Sequence, residues 1–302
     1  MVEVTAMRKK KFRLGLSMFQ LVNYFGLTML SLLFIVPFIV VVTTSLVSET
    51  ELIRRGSFIL FPEKFDFAAY KLLLGNGSII YNAYGITLLR VCIGTFLNLV
   101  FTAMMAYALA RKQLPYRNVF VTLVFVTMLF EGGIVPSYLL MKGLHLLNSF
   151  WALVLPGLIS AWNLLIMRHF FAQLPNELEE SATIDGASPL TILLRIVLPL
   201  SLPMIATIGL FYAVYHWNAW FDATIFINDL NKMPLQVILR RIILSMSSED
   251  INKSMIAAMH ERPTAQSMKA AAIIVTTLPI LFVYPFLQKH FVKGVMIGSI
   301  KG

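Results

Sequence analysis

The stretch LVNYFGLTMLSLLFIVPFIVVVTTSL, residues 21–46, carries no charged side chain. A bilayer core about 30 Å thick is crossed by roughly 20 mostly apolar residues in helical form, so this stretch is long enough to span a membrane. Five basic residues lie just before it, within residues 8–13. The apolar run is too long for a signal peptide, and no small-residue cleavage site follows it. We therefore predict a retained membrane helix whose N-terminal side lies in the cytoplasm.

The composition extends this prediction to the whole chain. Hydrophobic residues make up 58% of the 302 positions and charged residues only 13%. Soluble domains carry about a quarter charged residues, so much of the surface of this chain must face lipid. The net charge of +10 is spread over the loops, which indicates contact with lipid head groups and not with nucleic acid. The single Cys92 excludes a disulfide within the chain.

Similar apolar stretches predict an all-α integral membrane fold with six transmembrane helices. They lie at residues 21–46, 85–110, 118–141, 150–171, 201–227 and 268–290. Six crossings make a multi-pass protein of the bacterial cell membrane, with both termini in the cytoplasm. We divide the chain into a basic cytoplasmic segment, residues 1–20, and a transmembrane domain, residues 21–302.

Two long segments are expected on the outer side, at residues 47–84 and 228–267. The second contains PLQVILRRIILSM, residues 234–246, which is too short and too charged to cross a bilayer. It predicts a helix that lies at the outer surface or folds over the mouth of a pore.

The inner loop between the fourth and fifth spans, residues 173–200, has strong local signals. Asn176 is a candidate N-cap, and three acids follow where the helix dipole favours negative charge: Glu177, Glu179 and Glu180. Gly186 suits the left-handed conformation that ends a helix. Ser188 then caps a second helix that begins at Pro189. The pattern predicts a helix–turn–helix that projects into the cytoplasm.

Two prolines return the chain from this loop to the fifth span, Pro199 and Pro203. The first helix presents Ser181 and Ala182, whose small side chains allow another backbone to come close. Acids flank them, so the helix suits docking into a basic cleft on a partner. The alternative is a simple re-entry loop with ordinary caps.

The loop sequence ESATIDGASPLTILLRIVLP, residues 180–199, resembles the EAA motif of ABC importer permeases. That motif reads EAA, three residues, Gly, nine residues, Ile, one residue, Leu-Pro. The matching positions are Glu180, Ser181, Ala182, Gly186, Ile196, Leu198 and Pro199. Ser181 replaces the middle alanine, a small residue for a small residue. FEGGIVPSYLL, residues 130–140, and residues 267–302 are similar to carbohydrate permeases related to the maltose system, especially the branch that imports oligosaccharides and polysaccharide fragments.

This resemblance implies a type I ABC importer permease with a cytoplasmic coupling helix. It implies that Glu180 contacts an ATPase, that Gly186 shapes the turn, that Ala182 packs in the ATPase cleft, and that Asp185 belongs to the same contact. The implied partners are a second homologous permease, two ATP-binding subunits, an extracellular or periplasmic solute-binding protein, an oligosaccharide and membrane lipid. ATP and Mg would be bound by the ATPase subunits and no cofactor by this chain.

The sequence contains no GxxxxGK[ST] phosphate-binding loop, no metal-ligand spacing and no catalytic constellation, so we expect no enzymatic activity of its own. Charge within a membrane span is costly and often functional, and we select two of the charged residues in the predicted spans. Arg90 lines a pore or reaches the outer interface. Glu131 lines a pore or ends a helix before the glycines at 132 and 133.

An aromatic and amide cluster near the outer end of the fifth span suits the C–H faces and hydroxyl groups of sugars. The candidate substrate-pathway residues are Tyr212, Tyr215, Trp217, Asn218 and Trp220, with Asn163 and Glu131. Interfacial tryptophan and tyrosine belts of any membrane protein give the same pattern.

Three rival interpretations stay open. An ion-coupled secondary transporter would show inverted repeats and interrupted helices with matched acids. An ABC importer of a non-sugar solute would keep the same loop. A membrane scaffold that transports nothing would carry the EAA spacing by coincidence.

Overall fold

The structure is a computed structural model that describes residues 18–56, 58–75, 77–253 and 265–299, and side chains are described outside 245–253 and 283–299. Every regular element of these residues is helical. The first seven α-helices are α1 (Met18–Thr44), α2 (Glu49–Arg55), α3 (Ala68–Leu73), α4 (Ile79–Leu89), α5 (Thr95–Ala110), α6 (Arg117–Leu129) and α7 (Ile134–Gly143). The others are α8 (Ala161–Phe171), α9 (Asn176–Ile184), α10 (Pro189–Ile192), α11 (Leu198–Leu200), α12 (Leu202–Asn218), α13 (Phe221–Phe226), α14 (Leu235–Lys253) and α15 (Ala265–Ser299).

Some predicted features fall outside the described residues. These are the basic segment up to Ser17 and residues 254–264 of the second long segment.

The predicted six spans correspond to three long apolar helices and three bent helix pairs. The long helices are Met18–Thr44, Ile79–Ala110 and Ala265–Phe282. The pairs bend by 113° after Leu129, by 52° after Gly157 and by 87° after Leu200. Six crossings follow if each pair is one span.

The third span predicted for residues 118–141 is a pair of helices bent by 113° and not one continuous helix. Helix α6 ends at Leu129, because Phe130 is extended and Gly133 has a φ of +84°, which a residue with a side chain rarely adopts. Helix α7 then restarts in a new direction. Glu131 lies exposed in this break, as expected for a residue that ends a helix.

The fourth and fifth spans also differ from the prediction. The first half of predicted span 150–171 consists of short 3₁₀ turns that contain Pro156, and α8 begins only at Ala161. The predicted span 201–227 is divided, because α12 ends at Asn218 and the short α13 follows. Hydropathy found these apolar segments but could not find their breaks.

The chain forms two compact units, one of residues 1–69 and 261–271, the other of residues 70–260 and 272–302. In the first unit, none of the apolar window of α1 is buried. Past the end of α1, the buried side chains of Val47, Leu52 and Ile59 form a small cluster. This cluster fixes the segment that follows α1.

A buried carboxylate organises the same segment. The side chain of Glu51 accepts hydrogen bonds from the backbone N–H of Glu63 at 2.9 Å and from Arg55 at 2.7 Å. The Glu63 N–H bond, with the Arg55 side chain, holds the pKa of Glu51 below its usual range, although burial opposes this shift. The carboxylate form is therefore part of the folded segment.

Besides a small cluster of Met141, Ala152 and Phe226, the second unit has a larger apolar core built from α5, α6, α8, α9, α10, α12 and the segment after α10. Its most buried members include Ala106, Leu164, Met167 and Ile208.

Helix α14 confirms the helix predicted from PLQVILRRIILSM. Its start is held by Leu235, whose N–H donates to the Thr87 hydroxyl of α4 at 2.8 Å. Val237 and Ile238 are buried, whereas Arg240 and Arg241 are exposed. The helix therefore has an apolar side inside the unit and a basic side outside it.

Candidate functional site

The predicted helix–turn–helix of the inner loop is present. Helix α9 is followed by Gly186, whose φ of +80° reverses the chain. Ser188 then caps α10 by accepting from the Thr191 N–H at 3.3 Å, and Pro189 is the first helical residue. The predicted cap at Asn176 is wrong, because Asn176 is already the first residue of α9 and Pro175 precedes it.

The two faces of α9 differ in character. Glu180, Ser181 and Asp185 are exposed, with Gly186 exposed at the turn. Ala182 is only 9% exposed and belongs to the apolar core of this chain. The expectation that Ala182 packs in a partner's cleft therefore does not hold, since its methyl group is used inside the chain.

The remaining motif positions lie beyond the turn. Ile196 and Leu198 are partly buried against the same core, and Pro199 is exposed in α11, just before the bend into α12. Pro203 is near the start of α12, so the predicted return by two prolines is correct.

A polar contact ties α9 to the end of α5. Glu179 forms an ion pair with Arg111 at 2.8 Å, and the guanidinium of Arg111 also lies 4.5 Å from the centre of the Tyr107 ring and donates to the Tyr107 hydroxyl. Arg168 of α8 donates to the Leu109 carbonyl at 3.0 Å. The ion pair therefore connects α9 to the end of α5, and the Arg168 hydrogen bond connects α8 to the same end.

The second unit contains a polar network among its apolar helices, centred on Arg90. This side chain is 0% exposed and is ion-paired with Asp222 at the start of α13. Its Nε–H also donates to Nδ1 of His216 at 3.4 Å. Arg90 therefore faces protein, and the alternative that it reaches the outer interface is wrong.

The network continues from His216 to a bent span. Nε2 of His216 lies 2.8 Å from Oδ1 of Asn98, and the Asn98 amide donates to the carbonyls of Gly157 and Leu158 at 2.6 and 2.9 Å. Since Arg90 donates to Nδ1, the proton of the imidazole belongs on Nε2, where it is donated to Asn98. A neutral His216 therefore makes both hydrogen bonds, accepting from Arg90 at Nδ1 and donating to Asn98 from Nε2.

A π-helical turn, Arg90–Gly94, aligns this network between α4 and α5. Arg90, Gly94, Asn98 and Thr102 follow one another at intervals of four and are all buried. In a straight α-helix, each residue is rotated about the helix axis by about 40° relative to the residue four positions before it, so the three steps of this row would add up to about 120°. The extra residue in the π turn removes about 100° of this rotation, so the four residues stay on one face.

The candidate substrate-pathway residues are not brought to one surface. Tyr212 is 2% exposed, and its hydroxyl bonds Thr102 at 2.7 Å and accepts from the Ser160 N–H at 3.0 Å. Asn163 and Trp217 are also buried.

The other candidates are accessible. Tyr215 and Asn218 are exposed near the end of α12, Trp220 is half-buried, and Glu131 lies in the break before α7. A role of these residues in substrate passage stays a prediction.

A basic residue that the sequence analysis did not select contacts one of these candidates. The Cζ atom of Arg240 in α14 lies 3.9 Å from the centre of the Trp220 ring. The sequence shows Arg240 as one of two adjacent arginines in an apolar helix, which could have marked it as a candidate. Its contact with Trp220 could not be predicted, because the two residues are far apart in the sequence.

Comparison with known proteins gives a consistent result. Residues 117–297 match a family model described as "Binding-protein-dependent transport system inner membrane component". The chain is 47% identical to Protein LplC of Bacillus subtilis (strain 168) over 269 residues, which cover 89% of this chain and 90% of that protein. It is 43% identical to the polygalacturonan/rhamnogalacturonan transport system permease protein YtcP of the same organism, over 94% of this chain and 99% of that protein.

A solved structure is also similar along most of its length. It is the crystal structure of a bacterial ABC transporter involved in the import of the acidic polysaccharide alginate. One of its chains matches with a TM-score of 0.81 and 30% identity, over 90% of this chain and 96% of that one.

Proposed function

Because this chain belongs to the family of binding-protein-dependent transport system inner membrane components, we propose that it forms half of the channel of an ATP-driven oligosaccharide importer. Its fold is that of a type I ABC importer permease. The observation that carries the proposal is α9, an exposed acidic helix anchored through Ala182 in the membrane domain.

The importer contains this chain, a second homologous permease, two ATP-binding subunits and a solute-binding protein. ATP and Mg bind to the ATPase subunits, and this chain contributes no catalytic group or cofactor. The loop of α9 and both termini lie in the cytoplasm. The long segments after α1 and α13 lie outside, where the binding protein delivers its ligand.

The mechanism follows from how α9 is held. Glu180 and Asp185 are exposed and available to a basic cleft on the ATPase, whereas Glu179 is already paired with Arg111. When the ATPase subunits close, each pulls its α9 inward. The bonds of Glu179 and Arg168 to the end of α5 carry this motion into the spans. Such coupling requires that ATP and substrate each favour one of two global conformations, inward-facing or outward-facing.

The bent spans suit such a motion. The 87° bend after Leu200 lies directly between the coupling loop and α12. Helix α12 carries Tyr212 and His216, which are bonded to α5. A pull on α9 and the segment after it therefore reaches the middle of the membrane through two connections.

The proposed substrate class is an oligosaccharide, supported by the similarity to YtcP and to the alginate transporter chain. An ABC importer of a non-sugar solute is the alternative, since 33% identity over 193 residues also relates the chain to the sn-glycerol-3-phosphate transport system permease protein UgpE of Pectobacterium atrosepticum. An ion-coupled transporter would work without nucleotide hydrolysis.

Co-purification of the ATPase subunit with tagged permease tests the proposal. Glu180→Lys should abolish capture by reversing the charge offered to the cleft, and Gly186→Pro should do so because proline cannot adopt a φ of +80°. Glu177→Lys is the matched control, since Glu177 is exposed on the same helix but lies outside the motif. Equal capture by Glu180→Lys and wild type would refute the assignment of α9. Sugar uptake without ATP hydrolysis would refute the importer.

A further inference from the structure

The outer face of the second unit holds an arginine in a fixed orientation. The guanidinium of Arg240 lies over the indole of Trp220, with 3.9 Å between Cζ and the ring centre. Such cation–π contacts stabilise the guanidinium over the ring face. The ring occupies only part of the surface of the guanidinium, and Arg240 is exposed, so N–H donors of this side chain are accessible to a ligand that comes from outside the unit.

The guanidinium has no competing acid among the side chains that the structure describes. None of the ion pairs there involves Arg240. Two acids of the preceding segment are engaged elsewhere: Asp222 pairs with Arg90, and Asp229 accepts from the Asn231 N–H at 3.0 Å. Among the side chains that the structure describes, the charge of Arg240 therefore has no acidic partner.

The chemistry selects one class of ligand. A planar guanidinium donates two parallel hydrogen bonds to a carboxylate, a geometry that neutral sugars cannot match. Preorganisation by the indole lowers the entropy that is lost when the ligand binds. We propose that Trp220 and Arg240 form a binding site for the carboxylate of a uronate unit in an acidic oligosaccharide. This inference rests on the proposed importer function and specifies its substrate.

The position of the pair suits a role in passage. Trp220 follows α12 directly, two residues before Asp222, whose ion pair with the buried Arg90 fixes the chain at this point. Arg240 is presented by α14, whose start is bonded to Thr87. Trp220 is thus next to the polar network, and Arg240 belongs to a helix whose start is bonded to α4.

The test compares a charged and a neutral sugar in the assembled importer. Proteoliposomes with the two permeases and the ATPase subunits are supplied with binding protein and either trigalacturonate or its carboxyl-reduced counterpart. We expect Arg240→Gln to lower trigalacturonate uptake about tenfold or more, as for a lost hydrogen bond between charged groups, and to change uptake of the reduced sugar less than twofold.

Arg241→Gln is the matched control. Arg241 is exposed next to Arg240 on α14 and has the same charge, but it makes no ring contact in the described structure. Uptake of both sugars by the Arg241→Gln importer should stay within about twofold of wild type. Arg240→Lys keeps the charge without the two-point geometry, so it should fall between wild type and Arg240→Gln.

Several outcomes would overturn the site. Equal losses with Arg240→Gln and Arg241→Gln would mean diffuse attraction of anions, and equal losses for the two sugars would mean a structural role. No change in Arg240→Gln would exclude the carboxylate contact while the importer function stands. If the wild-type importer takes up neither sugar, the uronate substrate is refuted, whereas sugar uptake without ATP hydrolysis would refute the proposed function itself.

Discussion

The buried ion pair between Arg90 and Asp222 gives the sharpest prediction. We consider Asp222→Asn, which keeps the shape of the side chain and removes its charge. Arg90 is 0% exposed and donates to both carboxylate oxygens, so the variant leaves a positive charge without a counter-charge inside the unit. The protein should be clearly destabilised.

The size of the destabilisation depends on how deeply Arg90 and Asp222 are buried. Breaking a buried pair by removing one partner costs about 3–5 kcal/mol. Asp222 is 23% exposed, so water reaches this end and the lower part of the range applies. A cost of about 3 kcal/mol lowers the melting temperature by about 6–12 °C in a domain of roughly this size.

The double variant Arg90→Met with Asp222→Leu separates charge from packing. Removing both partners eliminates the unpaired charge, and replacing such pairs with apolar residues is often nearly neutral. We therefore expect its melting temperature to lie above that of Asp222→Asn. The loss of a donor to His216 limits the recovery.

Thermal unfolding of the detergent-solubilised complex, followed by tryptophan fluorescence, measures these differences. The reasoning fails if Asp222→Asn melts within about 1 °C of wild type, since 3 kcal/mol would then be absent. It also fails if the double variant is no more stable than Asp222→Asn, because the cost would then come from packing and not from an unpaired charge.

Three further predictions concern the coupling loop and the segment after α1. Glu179→Arg and Arg111→Glu should each lower the sugar transported per ATP in proteoliposomes, and the double exchange should restore it. Because the pair is partly exposed, stability should change by less than about 1 kcal/mol. Gly186→Ala strains a turn at a φ of +80° by about 1–2 kcal/mol and should weaken ATPase capture, whereas Gly186→Asn should retain more of it. The pKa of the Glu51 carboxyl is lower in the folded protein than its usual value. Glu51 therefore stabilises the folded protein at pH values above its usual pKa, and this contribution is lost as the pH falls through the lowered pKa. Amide exchange at Glu63 should therefore be faster in Glu51→Gln at neutral pH, with the difference disappearing in acid.

Each of these predictions has a contrary result. An exchange of Glu179 and Arg111 that restores nothing would exclude their contact as the connection to α5. Equal ATPase capture by the alanine and asparagine variants at position 186 would mean that backbone strain is irrelevant. Unchanged exchange at Glu63 would mean that its N–H bond to Glu51 does not limit local opening.

The coupling loop was predictable because its signals act over three or four residues. Gly186, Ser188 and Pro189 each specify a backbone conformation by local sterics or one hydrogen bond, and all three were correct. Ala182 was misplaced because the sequence does not show whether a small side chain faces its own core or a partner. That choice depends on how α9 packs against the rest of the unit.

The membrane interior was less predictable, because its partners are distant in sequence. Arg90 meets His216 and Asp222, which follow it by 126 and 132 residues. Composition shows that a charge in a span is costly, but it does not show which residue compensates it. In the third span, a hydropathy window averages over the glycines at 132 and 133, so the break after Leu129 was anticipated only as one of the two alternatives for Glu131.

The π-helical turn of Arg90–Gly94 has a consequence for how length changes in this span are tolerated. Removal of one residue there would give a more regular helix with every backbone bond intact. Because the extra residue adds little net rotation between α4 and α5, the deletion would leave Thr87 on the face where it accepts from the Leu235 N–H. The same deletion in a regular part of the span would instead turn the helix on one side of it by about 100°, because each α-helical residue contributes that angle. The π turn is thus a place where the span can lose a residue while α14 stays attached to it.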